Sequence, residues 1–155
     1  MRQNPKKLAK SYMENVKLMS IATVSKNKPW SATVFYAFDE NFDIYFLSRY
    51  YRKHSRHIEK NNSVAGTIAK QHKAFGAPTM GLQFGGKAKM LRGAELKKAY
   101  AVFTKRYPRA RKELSYWEVL ESKKQPVRLY KIFVRKLILH DEVHFQKGKR
   151  RVVIK

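Results

Sequence analysis

Ser48, Arg49, Arg52, Lys53, His54, Arg56 and His57 fall within a window of ten residues, directly after the apolar run Ile44-Tyr45-Phe46-Leu47. A strand end that delivers a hydroxyl and several cations to one spot, beside a helix N-terminus, suits a phosphate. Both a small cofactor and a nucleic acid carry that group. The rest of the chain decides between them.

Other chemistries are poorly served. There is no cysteine, so disulfides and thiolate metal sites are excluded. No paired carboxylates, Cys–His arrangement or phosphate-binding loop of the P-loop type is visible. His54 and His57, spaced i, i+3, and His140 with His144 lack an acidic or cysteine third ligand, so no metal site is expected. Thirty-five Lys and Arg against 11 Asp and Glu give a net charge of +24, spread along the chain rather than held in a tail. Such a field draws polyanions and phosphorylated small molecules alike, and unspecific polyanion binding is expected. No apolar run approaches the roughly 18 residues of a membrane span. The N-terminal stretch lacks the apolar core of a secretory signal. The expectation is a cytoplasmic protein of one domain, residues 1–155.

The elements that must position the cluster follow from periodicity and turn chemistry. Asn4-Pro5 reads as an N-cap with proline at the first helical position, opening an amphipathic helix to about Asn15. Leu18–Val24, Pro29–Phe38 and Asp43–Leu47 read as strands of an antiparallel meander, with turns at Ser25–Lys28 and Asp39–Asn41. Helix-forming residues occupy the basic segment. Ser63–Ala69 and Met80–Leu91 are further strands, and Gly85-Gly86 predicts a bulge. Ala94–Tyr107 is helical with Leu96, Ala99, Tyr100 and Phe103 on one side, ending before Pro108. Ala110–Val119 is expected to add a helical turn or two, and Val127–Leu139 and Arg151–Ile154 close the chain as strands. The pattern of strands in hairpin order, with two or three helices inserted, predicts an α+β fold built around an antiparallel barrel. Strands such as Leu18–Val24, apolar on both faces, fill the barrel with one face and leave the other for helices or a second subunit.

Lys28-Pro29-Trp30 leading into SATVFYAFD, then IYFLS, RKHSRHIEKNNSVAGTI and GLQFGGKAKML, resemble in order and spacing the FMN-binding split-barrel superfamily typified by pyridoxamine 5'-phosphate oxidase. Gly81–Phe84 and Tyr107–Arg111 resemble its small flavin-reductase-like members. The resemblance implies an antiparallel six-stranded split β-barrel with a few flanking helices, and an FMN ring laid along the backbone of the second strand, at Ala32, Thr33, Val34 and Phe35. It implies phosphate contacts from Ser48, Lys53 and His54, and a side chain near the ring from Gln83. It also implies a homodimer with the cofactor at the subunit interface, where the partner contributes from its C-terminal hairpin, here Phe145–Arg150, with Phe145 as the candidate. No catalytic residue is assigned, because a flavin carries the hydride chemistry itself. Ala32 stands where the oxidases have arginine, and the C-terminus lacks their Arg-x-His motif. The implied function is therefore a flavin-dependent oxidoreductase or flavin reductase acting on a small-molecule substrate, not a true pyridoxamine phosphate oxidase.

Alternatives stand beside this reading. Haem and deazaflavin occur in place of FMN within the superfamily, and a non-catalytic carrier fits the same fold. Tyr50-Tyr51-Arg52-Lys53 and Arg106-Tyr107-Pro108-Arg109 interleave aromatics with cations, as a barrel-type nucleic-acid-binding module does.

Overall fold

A computed structural model describes residues 3–154. Its first helix, α1 (Pro5–Asn15), is capped as expected, the Asn4 side chain accepting from the Lys6 and Lys7 amides. Strands β1 (Leu18–Ser25) and β2 (Lys28–Phe38) form a hairpin whose two-residue turn places Lys26 and Asn27 in the left-handed region. The chain continues through β3 (Ile44–Arg49), helix α2 (Lys53–Lys60), β4 (Ser63–Ile68) and β5 (Met80–Met90). Helix α3 (Gly93–Arg106) follows and stops just before Tyr107-Pro108, where the residue ahead of proline disfavours helical geometry. The expected second helical segment is split into α4 (Ala110–Glu113) and a 3-10 turn at Trp117–Glu121. Strands β6 (Val127–Asp141) and β7 (Arg150–Ile154) end the chain, β6 running two residues past its expected limit.

All neighbouring strands are antiparallel, in the order β3-β2-β1-β4-β5-β6, and β3 pairs back onto β6. Six strands thus close a barrel, and β7 extends the sheet beyond the far half of β6. The fold is the α+β split barrel read from the sequence. The β5–β6 register slips between Gly85 and Gly86. A Cβ on Gly86 would stand 2.1 Å from the Phe133 carbonyl oxygen, so only glycine lets the strands approach there.

Met19, Ile21, Tyr36, Ile44, Phe46, Phe84, Ile132 and Leu137 fill the barrel. Helix α1 joins that core through Ala9 and Met13 and closes the end where β4 finishes and β5 begins. There the Tyr12 hydroxyl donates to the Met80 carbonyl and accepts from the Lys70 amide. Helix α2 lies at the opposite end, adding Ile58 to the core. A second core sits outside the barrel, where Leu96, Ala99 and Phe103 of α3 cover Ala37, Tyr45 and Leu129. Among the described residues no helix is long and apolar enough to cross a membrane.

Candidate functional site

The barrel is split beside β2. One edge of Lys28–Phe35 pairs with β1 throughout. The other edge has no strand partner, because β3 meets β2 only at Tyr36–Phe38. Beyond Phe46, β3 leaves β2 and stays with β6, pairing Leu47 with Leu129 and Ser48 with Arg128. Backbone groups of Ala32–Phe35 along that edge are therefore open to a ligand, which must satisfy them if it excludes water.

Across the split stands the start of α2. Its cap residue Arg52 makes no side-chain capping bond, which leaves the first amides of the helix for water or a ligand. Lys53 lies over the Trp30 ring, Nζ 4.1 Å from its centroid. Below them is a cavity of about 440 Å3 lined by Lys28, Tyr51, Lys53, Arg56 and His57, among others. Arg56 lies one helical turn after Lys53 and shares its face, so it belongs to this cationic wall rather than to the general surface. Spacing i, i+3 from Lys53 was the sequence signal for it.

Ser48 and His54 are engaged with each other. His54 Nε2 lies 2.7 Å from Ser48 Oγ, and Ser55 Oγ donates to Ser48 Oγ at 3.1 Å. His54 is only 7% exposed, against the Phe46 ring. Burial, with help from Arg52 and His57, holds its pKa below the ordinary histidine value. Neutral His54 accepts the Ser48 proton that Ser55 leaves available, an assignment made from this network. His57 faces away from His54, its Nδ1 3.1 Å from Thr23 Oγ1. The two imidazoles therefore tie α2 to two different strands, β3 and β1.

The other expected residues divide by strand parity. Ala32 and Val34 pack on the core, so only their backbone edge faces the split. Thr33 and Phe35 point outward. In register, Thr33, Ser20, Thr67 and Gln83 form a row across β2, β1, β4 and β5. Next to it, Leu18 and Phe35 pair and remain 43% and 57% exposed. Phe35 meets the ring of Tyr107, just past the end of α3, edge-to-face at 5.8 Å. Arg150 Nη1 approaches Gln83 Oε1 at 3.5 Å. Phe145 lies beyond the far end of β6, packed on the core under Arg151, and does not meet Lys53 within one chain.

The two aromatic–cation runs also separate. Tyr50 and Tyr51 are half exposed and edge-to-face, 5.6 Å apart. Arg106 is no such platform, since its Nη2 donates to the Met13 and Val16 carbonyls and its guanidinium lies over Tyr36 and Phe38.

A sequence model described as pyridoxamine 5'-phosphate oxidase matches residues 6–140. A UPF0306 protein of Yersinia pseudotuberculosis is 32% identical over 107 residues, covering 67% of this chain and 71% of that one. The heme binding protein of Mycobacterium smegmatis superposes with a TM-score of 0.76 at 15% identity, over 99% of this chain and 59% of that one. Campylobacter jejuni ChuZ superposes with a TM-score of 0.73 at 16% identity, over 99% of this chain and 62% of that one. The chain thus spans less than two thirds of either solved chain, and those likenesses bear on the fold alone.

Proposed function

The chain belongs to the pyridoxamine 5'-phosphate oxidase family, and from that premise we propose that it binds FMN and works as a flavin-dependent oxidoreductase or flavin reductase on a small-molecule substrate. One observation carries the reading: an open backbone edge at Ala32–Phe35 faces a cationic helix start across the split. The residues fit the group. Lys53 and Arg56, with the free amides of α2, offer a phosphate both charge and hydrogen bonds. The edge of β2 offers alternating donors and acceptors to a flat heteroaromatic ring. When bound, FMN supplies the hydride chemistry. The chain's part is to bind, orient and exclude water. Ser48 is held by His54 and Ser55 and so braces the β3–α2 corner, with its contact to phosphate running alongside that of Lys53.

The outer face of β1, β2, β4 and β5 is the proposed homodimer surface. Leu18 and Phe35 supply its apolar part, and the Thr33–Gln83 row brings Gln83 toward the interface. A second subunit there would deliver its own Phe145 region to the cofactor.

Titration of the purified protein with FMN, read by quenching of flavin fluorescence, tests the proposal. Saturable binding at micromolar FMN, together with reduction by NADH or NADPH, supports it. A chain that takes up no flavin, or whose purified form carries a haem spectrum instead, sinks it. Phe35→Asp is expected to convert a dimer to monomers in sedimentation equilibrium and to lower flavin affinity with it.

A further inference from the structure

The other flank of α2 holds a larger cavity that the flavin reading does not use. Its volume is about 710 Å3, within the range of small-molecule pockets. Ile58, Ala88 and Met90 line its apolar side, and Arg92, Lys123 and Arg128 line its polar side. Among the described residues no carboxylate lies within ion-pair distance of those three cations. Glu59 is the acidic residue of the lining, and Lys89 is offset by Glu95 at 2.7 Å.

Two features mark the cavity as a built site. Tyr130 is 1% exposed and lines it, yet its hydroxyl has no hydrogen-bond partner. Ser55 stands close enough to influence the phenol but directs its own hydroxyl to Ser48. A buried hydroxyl without a partner carries a desolvation cost; its oxygen is closed off from solvent here, and an acceptor in the cavity would remove that cost on a small shift of the wall at Ser55. Arg128, two residues before Tyr130 on β6, is fixed by the carbonyls of Gln125, Val127 and Ser122. Those acceptors are neutral, so its charge stays uncompensated. Three of its five N–H groups are used and two are left.

We propose that this pocket between α2 and the β5–β6 strands binds a small organic anion, its phosphate or carboxylate head taken by the Tyr130 hydroxyl and Arg128 and its apolar body lying on Ile58 and Met90. Its lining shares no residue with the cavity beside Lys53 and Arg56, so the site stands whether or not the flavin reading does.

Calorimetric titration of the full chain with phenyl phosphate and with benzoate, at physiological salt and with and without FMN, tests it. One site per chain is expected for at least one of the two anions, and the tighter one identifies the head group. Benzyl alcohol, lacking charge, is expected not to bind, and inorganic phosphate to bind more weakly than phenyl phosphate. Tyr130→Phe is expected to weaken binding about tenfold, as loss of a hydrogen bond to a charged group does, and Arg128→Gln by at least as much. Arg92→Gln with Lys123→Gln, both at exposed positions, gives a folded variant with reduced affinity should Arg128→Gln unfold the chain. The proposal is overturned if neither anion saturates, if Tyr130→Phe and the Arg92/Lys123 variant both bind as tightly as the unsubstituted chain, or if FMN competes with the anion for one site. A chain that binds the anion but no flavin would sink the flavin reading and leave this one intact.

Discussion

The two ends of the barrel use the same residue types to opposite purpose. At the α1 end, Arg106 crosses from α3 to hold the carbonyls of Met13 and Val16, with Tyr36, Phe38 and Tyr107 around its guanidinium. The Tyr107 hydroxyl in turn donates to the Tyr36 carbonyl, and the Tyr36 hydroxyl to Met13. Both Nη2 hydrogens of Arg106 thus end on the protein, while its buried Nε has no partner. At the α2 end, Lys53 and Arg56 line an open cavity, and Arg128 keeps unspent donors beside the orphaned Tyr130 hydroxyl. A cation whose donors end on carbonyls of a distant element, as those of Arg106 do, locks the two elements together. One that faces a cavity is available to a ligand.

Mutation should separate the ends, with the largest effect at the lock. Arg106→Ala takes a donor from the Met13 and Val16 carbonyls, of which Met13 keeps the Tyr36 hydroxyl, and strips the aromatic cluster of its cation. It is expected to cost about 3 kcal/mol in urea denaturation. An unchanged midpoint would show that the α1 end is not held in this way. Lys53→Ala with Arg56→Ala reverses the pattern. Stability should change by no more than about 0.5 kcal/mol, while flavin affinity falls about tenfold or more as charge-assisted contacts are lost. Equal loss of stability in both variants would erase the distinction between the ends.

Smaller effects sharpen it. Asn4→Ala removes the α1 cap and is expected to cost about 1 kcal/mol, without change in flavin affinity. The pH dependence belongs to the α2 end. His54 is held neutral in the folded chain, its pKa below the unfolded value of 6.5. Below that pH the unfolded chain takes up a proton that the folded chain resists, so stability is lost as pH falls and is unaffected above it. Melting temperature should decline on acidification from neutrality, and His54→Gln should flatten that decline. A decline identical in His54→Gln would assign it to other groups.

Much of the scaffold was legible because its signals are local. Asn4-Pro5 and the Lys26-Asn27 turn need only neighbouring residues to act. Gly85-Gly86 announced a bulge through composition, and the register shift falls there. Ala110–Val119 was less legible, because Leu114–Tyr116 interrupts a segment whose periodicity alone reads as continuous. Of the candidate site, the basic corner after Ile44–Leu47 was apparent as a run of residue types, whereas the partners of its members were not. Ser48 reads as an exposed strand-end hydroxyl until His54 and Ser55 fold back onto it. Arg106 reads as one of an aromatic–cation pair until α1 is placed against it.

The sequence by itself determined the barrel's strands, their hairpins, the helix that follows the third strand and the concentration of charge around it. These depend on periodicity, turn residues and caps that act over a few positions. Tertiary structure alone decided that β3 leaves β2 beyond Phe46 while keeping β6 along its whole length, and this opens the Ala32–Phe35 edge opposite Lys53. Barrel closure brings together residues about eighty positions apart, and no local pattern encodes which edge a closing strand leaves free. The Ile44–Arg49 segment ends at the cluster of cations either way; the partner it chooses is what turns that cluster into a cleft.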